Sequence, residues 1–256
     1  MTVSLEFSDP QGYADLATFV RRARAADADA AVRLVTRGAV LGVWAGVLAG
    51  SGLFATGAAV GHRGFALAGP VAVDCDVVVL ASALTDRFAR MPGDTVLSVP
   101  PATSHAPWAG QLPLAGPWER VGAIAESVLA ELAADGIAAV ARAVPDAVGS
   151  AAVDAVRHRV WAAPLPVQRH DDAGDVAEPG QAPGWVVPTG AAFAASVLGL
   201  LPRGPGGSAA TATGTATATA TGASGGPRDT ADVAQVCRCG RWARIRLQRG
   251  HVFARA

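Results

Sequence analysis

Residues 2–8 place Val3, Leu5 and Phe7 on one side and Thr2, Ser4, Glu6 and Ser8 on the other, the period-two pattern of a half-buried strand. Asp9-Pro10 then supplies an N-cap and a first helical residue for a helix whose apolar stripe is Leu16, Phe19, Val20 and Ala23. Val32 to Gly38 predicts a strand running into a tight turn, and the uncharged run that follows predicts its partner, buried on both faces. A further strand is expected over Val71–Leu80, with Asp74 and Asp76 on one face and Val73, Cys75, Val77 and Val79 on the other. Ser82–Arg90 reads as a short helix ending at Met91-Pro92-Gly93, and Val96–Val99 as a short strand. The Pro- and Trp-rich 102–117 reads as loop. Helical patterns span Val121–Val144, Asp146–Trp161 and about Pro188–Leu201. Val233–Cys239, Arg241–Leu247 and Val252–Ala254 close the chain as strands. Because the two element types are segregated, the expected fold is a single α+β domain: a mainly antiparallel sheet of N- and C-terminal strands covered by three or four helices.

One stretch competes with that reading. From Gly38 to Gly61 the chain carries no charge, long enough to cross a bilayer as a helix, and Gly38, Gly42, Gly46 and Gly50 recur at the spacing of a small-residue packing face. Glycine is a poor helix former outside a membrane, and strong apolar residues are a minority here, so the hairpin reading is preferred and no membrane partner is expected. Two segments read as inserts in a domain made of 1–201 with 231–256. Residues 165–186 hold His170, several acids and three prolines, a solvated loop. Residues 203–230, built on an Ala-Thr repeat between Gly/Pro clusters, have too little apolar bulk to offset the entropy of ordering and read as a disordered insert.

The 256-residue chain is 51% hydrophobic but only 5% aromatic, which excludes collagen-like, disulfide-scaffold and wholly disordered classes. It contains no lysine and no asparagine, so the 21 positive charges are all arginine, balanced by 21 acids. The first residues have neither the basic nor the apolar segment of a secretory signal, and three cysteines (Cys75, Cys237, Cys239) fit reduced thiols, so a cytoplasmic location is expected.

Several short stretches carry a resemblance: Asp15-Leu16 with Phe19-Val20, Ala31-Val32-Arg33-Leu34, Val43-Trp44, Leu84-Thr85-Asp86-Arg87, Trp108-Ala109-Gly110, Gly190-Ala191-Ala192-Phe193-Ala194 and Trp242-Ala243-Arg244 with Arg249-Gly250-His251-Val252. In these the chain resembles an uncharacterised protein family of GC-rich actinobacteria with no known activity. The resemblance covers most of the chain outside the two inserts. It implies that the C-terminal strands belong to the main domain, and it supplies no site.

Specific catalytic signatures are absent from the sequence: no phosphate-binding Gly-x-x-x-x-Gly-Lys, no Gly-x-Ser-x-Gly elbow, no His-Glu-x-x-His. With no lysine, Schiff-base chemistry is excluded, and nothing calls for a cofactor. Cys237-x-Cys239 puts two sulfurs on one strand face, where a metal or redox pair is weighed against simple packing and packing is preferred. Asp74 and Asp76 suit a cation or acid–base pair, yet their alternation with apolar residues is what a solvent face requires. His62 is expected at a turn beside Arg63; His105 sits in the Pro/Trp loop and His158 between two arginines.

Splitting the charge is more informative. Residues 231–256 carry six arginines against Asp232, a balance of +5, and the rest of the chain carries −5. Alternation puts Trp242, Arg244 and Arg246 on one face and Ala243, Ile245 and Leu247 on the other. An arginine row beside an exposed tryptophan suits an anionic partner, either nucleic acid or an acidic protein surface; the plain alternative is an edge strand guarded by its charges. The expected function is therefore a non-enzymatic binding or accessory protein with Trp242, Arg244, Arg246 and Arg249 as contact residues. The competing readings are an enzyme using Asp74, Asp76 or His105, and a purely structural interaction subunit.

Overall fold

The computed structural model describes the chain except for residues 1–2, 51–54, 73, 113–115, 145–148, 171–175, 178–184 and 203–232. The expected insert 203–230 thus lies outside the described residues. Within them the fold is the expected mixture of helices with one large antiparallel sheet.

The N-terminal part runs β1 (Ser4–Glu6), α1 (Pro10–Ala26), β2 (Ala31–Arg37), β3 (Val40–Leu48), β4 (Ala59–Ala66), β5 (Asp76–Leu80), α2 (Ala81–Arg90) and β6 (Val96–Ser98). A 3-10 turn, Pro107–Gly110, follows. The C-terminal part runs β7 (Glu119–Ala125), α3 (Glu126–Ala143), α4 (Ser150–Trp161), β8 (Gln168–His170), β9 (Val176–Ala177), α5 (Gly190–Val197), β10 (Val233–Cys239), β11 (Trp242–Leu247) and β12 (Gly250–Arg255).

Asp9 caps α1 as its sequence requires, accepting the Gly12 N–H at 2.7 Å. The β2–β3 hairpin turns at Gly38, whose φ of +57° favours a residue without a Cβ. Two expectations change. Residues 119–125 form a strand, β7, where a helix starting at Val121 was expected; Val121-Gly122-Ala123-Ile124-Ala125 is a short apolar run with no breaker before α3, and periodicity cannot assign such a run. Within 165–186, read as a polar loop, residues 168–170 and 176–177 add to the sheet as β8 and β9.

The strand order is β5-β2-β3-β4-β12-β11-β10-β7-β8-β9. Its first eight strands form two matching sets of four, β5-β2-β3-β4 and β7-β10-β11-β12, joined where β4 pairs with β12. The outermost strand of each set runs straight into a helix, β5 into α2 and β7 into α3. The helices cover one face, burying Leu34, Leu41, Val43, Phe65, Ile245 and Val252. Behind the β4–β12 seam lies α5, whose buried residues are small (Gly190, Ala191, Ala192, Ala194, Ala195) and allow close approach. Leu198 closes that contact against Gly61, where a Cβ has no room. The opposite face carries a second, smaller core, in which Ala106, Trp108, Ala109 and Leu112 pack on Val60, Trp242 and Phe253.

Among the described residues no helix is long and apolar enough to cross a membrane. The four-residue glycine spacing has a different origin, since Gly38 and Gly50 take positive φ beyond the two ends of β3. Gly42 and Gly46 lie beneath indoles. A Cβ on Gly42 would come within 2.6 Å of the Trp44 ring, and one on Gly46 within 2.5 Å of Trp108 Nε1.

Candidate functional site

The alternation read in β11 holds: Ala243, Ile245 and Leu247 enter the helix-side core, and Trp242, Arg244 and Arg246 share the opposite face. The position of the strand is different from either expectation. β11 lies between β10 and β12 inside the sheet, so its arginines guard no edge. Trp242 is only 5% exposed, packed with Trp108, Leu112 and Phe253; it is a foundation of this face rather than an exposed stacking surface. The Arg244 guanidinium lies 4.5 Å from the Trp118 ring centroid, and its Nε is buried without a hydrogen-bond partner. Arg246 and Arg249 are exposed. Among the described residues no carboxylate pairs with Arg244, Arg246 or Arg249.

Cross-strand register brings residues beside them that sequence spacing keeps apart. Trp44 opposes His62 on β3–β4, His62 opposes His251 on β4–β12, and His251 opposes Arg246 on β12–β11. The result is a row of three rings ending in a guanidinium. Trp44 and His62 are 4.4 Å apart between centroids, and His62 and His251 stack at 5.5 Å with planes 4° apart. Burial, the adjacent His251 ring and Arg244 hold His62 down at about 4. Burial, Arg244 and Arg246 do the same for His251, also to about 4. Both rings are therefore neutral at physiological pH. Trp44 Nε1, His62 Nδ1 and His251 Nδ1 are buried without hydrogen-bond partners among the described residues.

The row opens into a notch. β4 continues along β3 to Ala66, whereas β12 pairs with it only as far as His62. A cleft of about 420 Å³ lies there, lined by Arg63, Gly64, Gln248, Arg249 and His251. Arg63 is engaged by Asp15. The turn carrying Arg249 is tied down by buried Glu126 at the start of α3, whose Oε1 accepts the Gln248 N–H at 3.1 Å. Gly250 packs against the His62 carbonyl with φ +149°.

The other candidates are dispersed or committed. Asp76 makes a bidentate pair with Arg33, 2.8 and 2.7 Å, and Arg33 also donates to the Ala109 carbonyl at 2.6 Å. That guanidinium holds the Asp76 carboxyl below its ordinary range. Asp74 and His105 are exposed, and Asp74 lies before β5 rather than within it. Cys237 is buried, Cys239 half-buried, and both are free thiols. Among the described residues no group of three or more His, Cys, Asp or Glu could hold a metal. His62, expected at a turn, stands inside β4. Sequence reading missed the Trp44–His62–His251 row; its only trace was Trp44 in the expected second strand of the hairpin, since His62 was expected at a turn and His251 lay just before the expected strand Val252–Ala254.

No curated protein matches the chain in sequence. Among solved structures it is similar to the β sliding clamp of C. crescentus, at 10% identity with a TM-score of 0.50, covering 100% of this chain and 65% of that one. The DNA polymerase III subunit β from Pseudomonas aeruginosa is matched at 12% identity and a TM-score of 0.49, over 100% of this chain and 64% of the other. The chain thus spans less than two thirds of the length of those clamps, and at such identities the likeness is one of fold. Residues 1–110, the part up to the 3-10 turn, match a domain of unknown function, DUF8010. Residues 113–256, more than half of the chain, match a second domain of unknown function, DUF8185, and the protein belongs to that family.

Proposed function

We propose that the protein is a non-catalytic binding or accessory protein that takes an anionic partner on the outer sheet face, with Arg244, Arg246 and Arg249 as contacts and Trp242 as their buried support. One observation carries this reading: these arginines stand on an interior strand and its turn, unpaired with any carboxylate among the described residues, beside a polar cleft. Free cysteines support a reducing, cytosolic compartment.

The test is binding of inorganic polyphosphate as a function of salt. Affinity is expected to fall linearly on a log–log plot, and the double variant Arg244→Ala/Arg246→Ala to lower the slope by about 2. Binding that is absent at low ionic strength, or insensitive to these substitutions, overturns the reading.

A further inference from the structure

On its side away from β3, β4 changes partner, and one residue is left over between the two. As far as His62 the partner is β12, whose Gly250 sits against the His62 carbonyl. From Ala66 onward it is the end of β1 and the residues after it. There the Ser8 N–H donates to the Ala66 carbonyl at 3.3 Å, Phe7 bridges Leu67, and the Ala68 N–H donates to the Glu6 carbonyl at 2.8 Å. Because the carbonyls of His62 and Ala66 both point away from β3, the N–H and C=O of Gly64 between them point that way too. Among the described residues neither has a backbone partner. The cause lies in the sequence. Continued pairing would set Arg249 opposite Gly64 on one side, but Arg249 stands in the turn that joins β11 to β12. On the other it would set Pro10 there, which opens α1 and has no N–H to give.

This gap opens into the cleft lined by Arg63 and Arg249. One donor beside one acceptor matches a peptide residue in extended conformation, which carries both. An inorganic anion offers acceptors only and would leave the Gly64 carbonyl facing like charge. His62 and Ala66 are about 13 Å apart along the strand, and Gly250 and Ser8 close the two ends, so a chain that enters cannot run on beside β4 and must end there. The cationic walls choose which end. Arg249 is exposed and pairs with no carboxylate among the described residues, and Arg63 is fixed by Asp15 with its guanidinium 5.3 Å from the Phe65 ring centroid. The carboxylates around the gap are committed, Asp15 to Arg63, Asp9 to the Gly12 N–H of α1 and Glu126 to the Gln248 N–H.

We infer that the cleft takes the C-terminal residue of an extended peptide. Its N–H donates to the Gly64 carbonyl, one carboxylate oxygen accepts the Gly64 N–H, and the other accepts from Arg249. This inference rests on the anion-binding reading above and adds the class of ligand.

The experiment titrates the full chain with four probes and follows the backbone amide signals by NMR: the peptide acetyl-Gly-Ala-Ala with a free carboxylate, the same peptide as its C-terminal amide, its analogue N-methylated at the last residue, and inorganic phosphate. The free acid is expected to shift the Gly64 amide signal and to bind roughly tenfold more tightly than the C-terminal amide and about fivefold more tightly than the N-methylated analogue. Arg249→Gln should bring the free acid down to the level of the C-terminal amide and leave the C-terminal amide unchanged. Equal affinity of the free acid and either analogue, or a Gly64 signal that stays in place, overturns the inference, while binding of polyphosphate keeps the anion reading intact. Phosphate binding as tightly as the free acid also overturns it, in favour of an inorganic anion. If neither the peptides nor polyphosphate bind, both readings fail. The comparison of wild-type affinities decides the matter even if the Arg249 variant does not fold.

Discussion

The imidazole rings of His62 and His251 stack nearly parallel, 5.5 Å apart, across the one strand pair that joins the two matching halves of the sheet. Residues 189 positions apart thereby share one desolvated site, with Arg244 and Arg246 beside them.

That pairing makes stability depend on acid. In the unfolded chain both histidines titrate near their ordinary 6.5, whereas the folded protein holds both at about 4. Between these values the unfolded chain binds more protons, so stability is fully present above about pH 6.5 and falls as pH drops toward about 4. Melting temperatures measured across this window should decline steadily, and more shallowly in His62→Phe. An unchanged decline in that variant would mean that other groups govern it.

Gly250 seals the start of β12 against the His62 carbonyl. Its φ of +149° is closed to most side chains, and a Cβ would press on that backbone oxygen. Gly250→Ala is expected to cost about 1–3 kcal/mol from strain alone, read by chemical denaturation. Gly64→Ala is the control, because its Cβ would meet only Val40 at 4.0 Å. Similar losses in both variants would argue against the seam.

The Arg33 guanidinium fastens the 3-10 turn segment to the sheet by holding both Asp76 and the Ala109 carbonyl. Asp76 is exposed, its side chain 53% accessible, so solvent screens the pair and Asp76→Asn should cost no more than about 1 kcal/mol. Arg33→Ala should cost more, because it also frees the Ala109 carbonyl and loosens the cover over Trp242. Limited proteolysis between 99 and 112 measures this: cleavage should accelerate in Arg33→Ala and change little in Asp76→Asn.

The three thiols should separate by access. Cys75 and Cys237 are buried, and burial, with Asp76 nearby, pushes the Cys75 thiol up. Cys239 is half-buried. Titration of the native protein with a thiol reagent should show one fast equivalent, removed by Cys239→Ser, and two that react only on unfolding.

Much of the local structure was legible in the chain. Alternation in Trp242–Leu247 assigned each side chain to its face, Asp9-Pro10 fixed the start of α1, and the run after Gly38 identified a hairpin. These features depend on the backbone repeat and on the nearest few residues, which any sequence displays. β7 was not legible, because Val121–Ala125 suits either element and only pairing with β10 decides it.

The site belongs to the second kind of information. Sequence alone determined that Arg244 and Arg246 point the same way, and it determined the charge excess of the last 26 residues. Tertiary structure decided that β11 is interior, that Trp242 is buried, and that Trp44, His62 and His251 form one row. The reason is physical: side-chain alternation is a property of one strand, whereas strand order and register are set by long-range packing of β4 on β12 over α5, which no local pattern encodes.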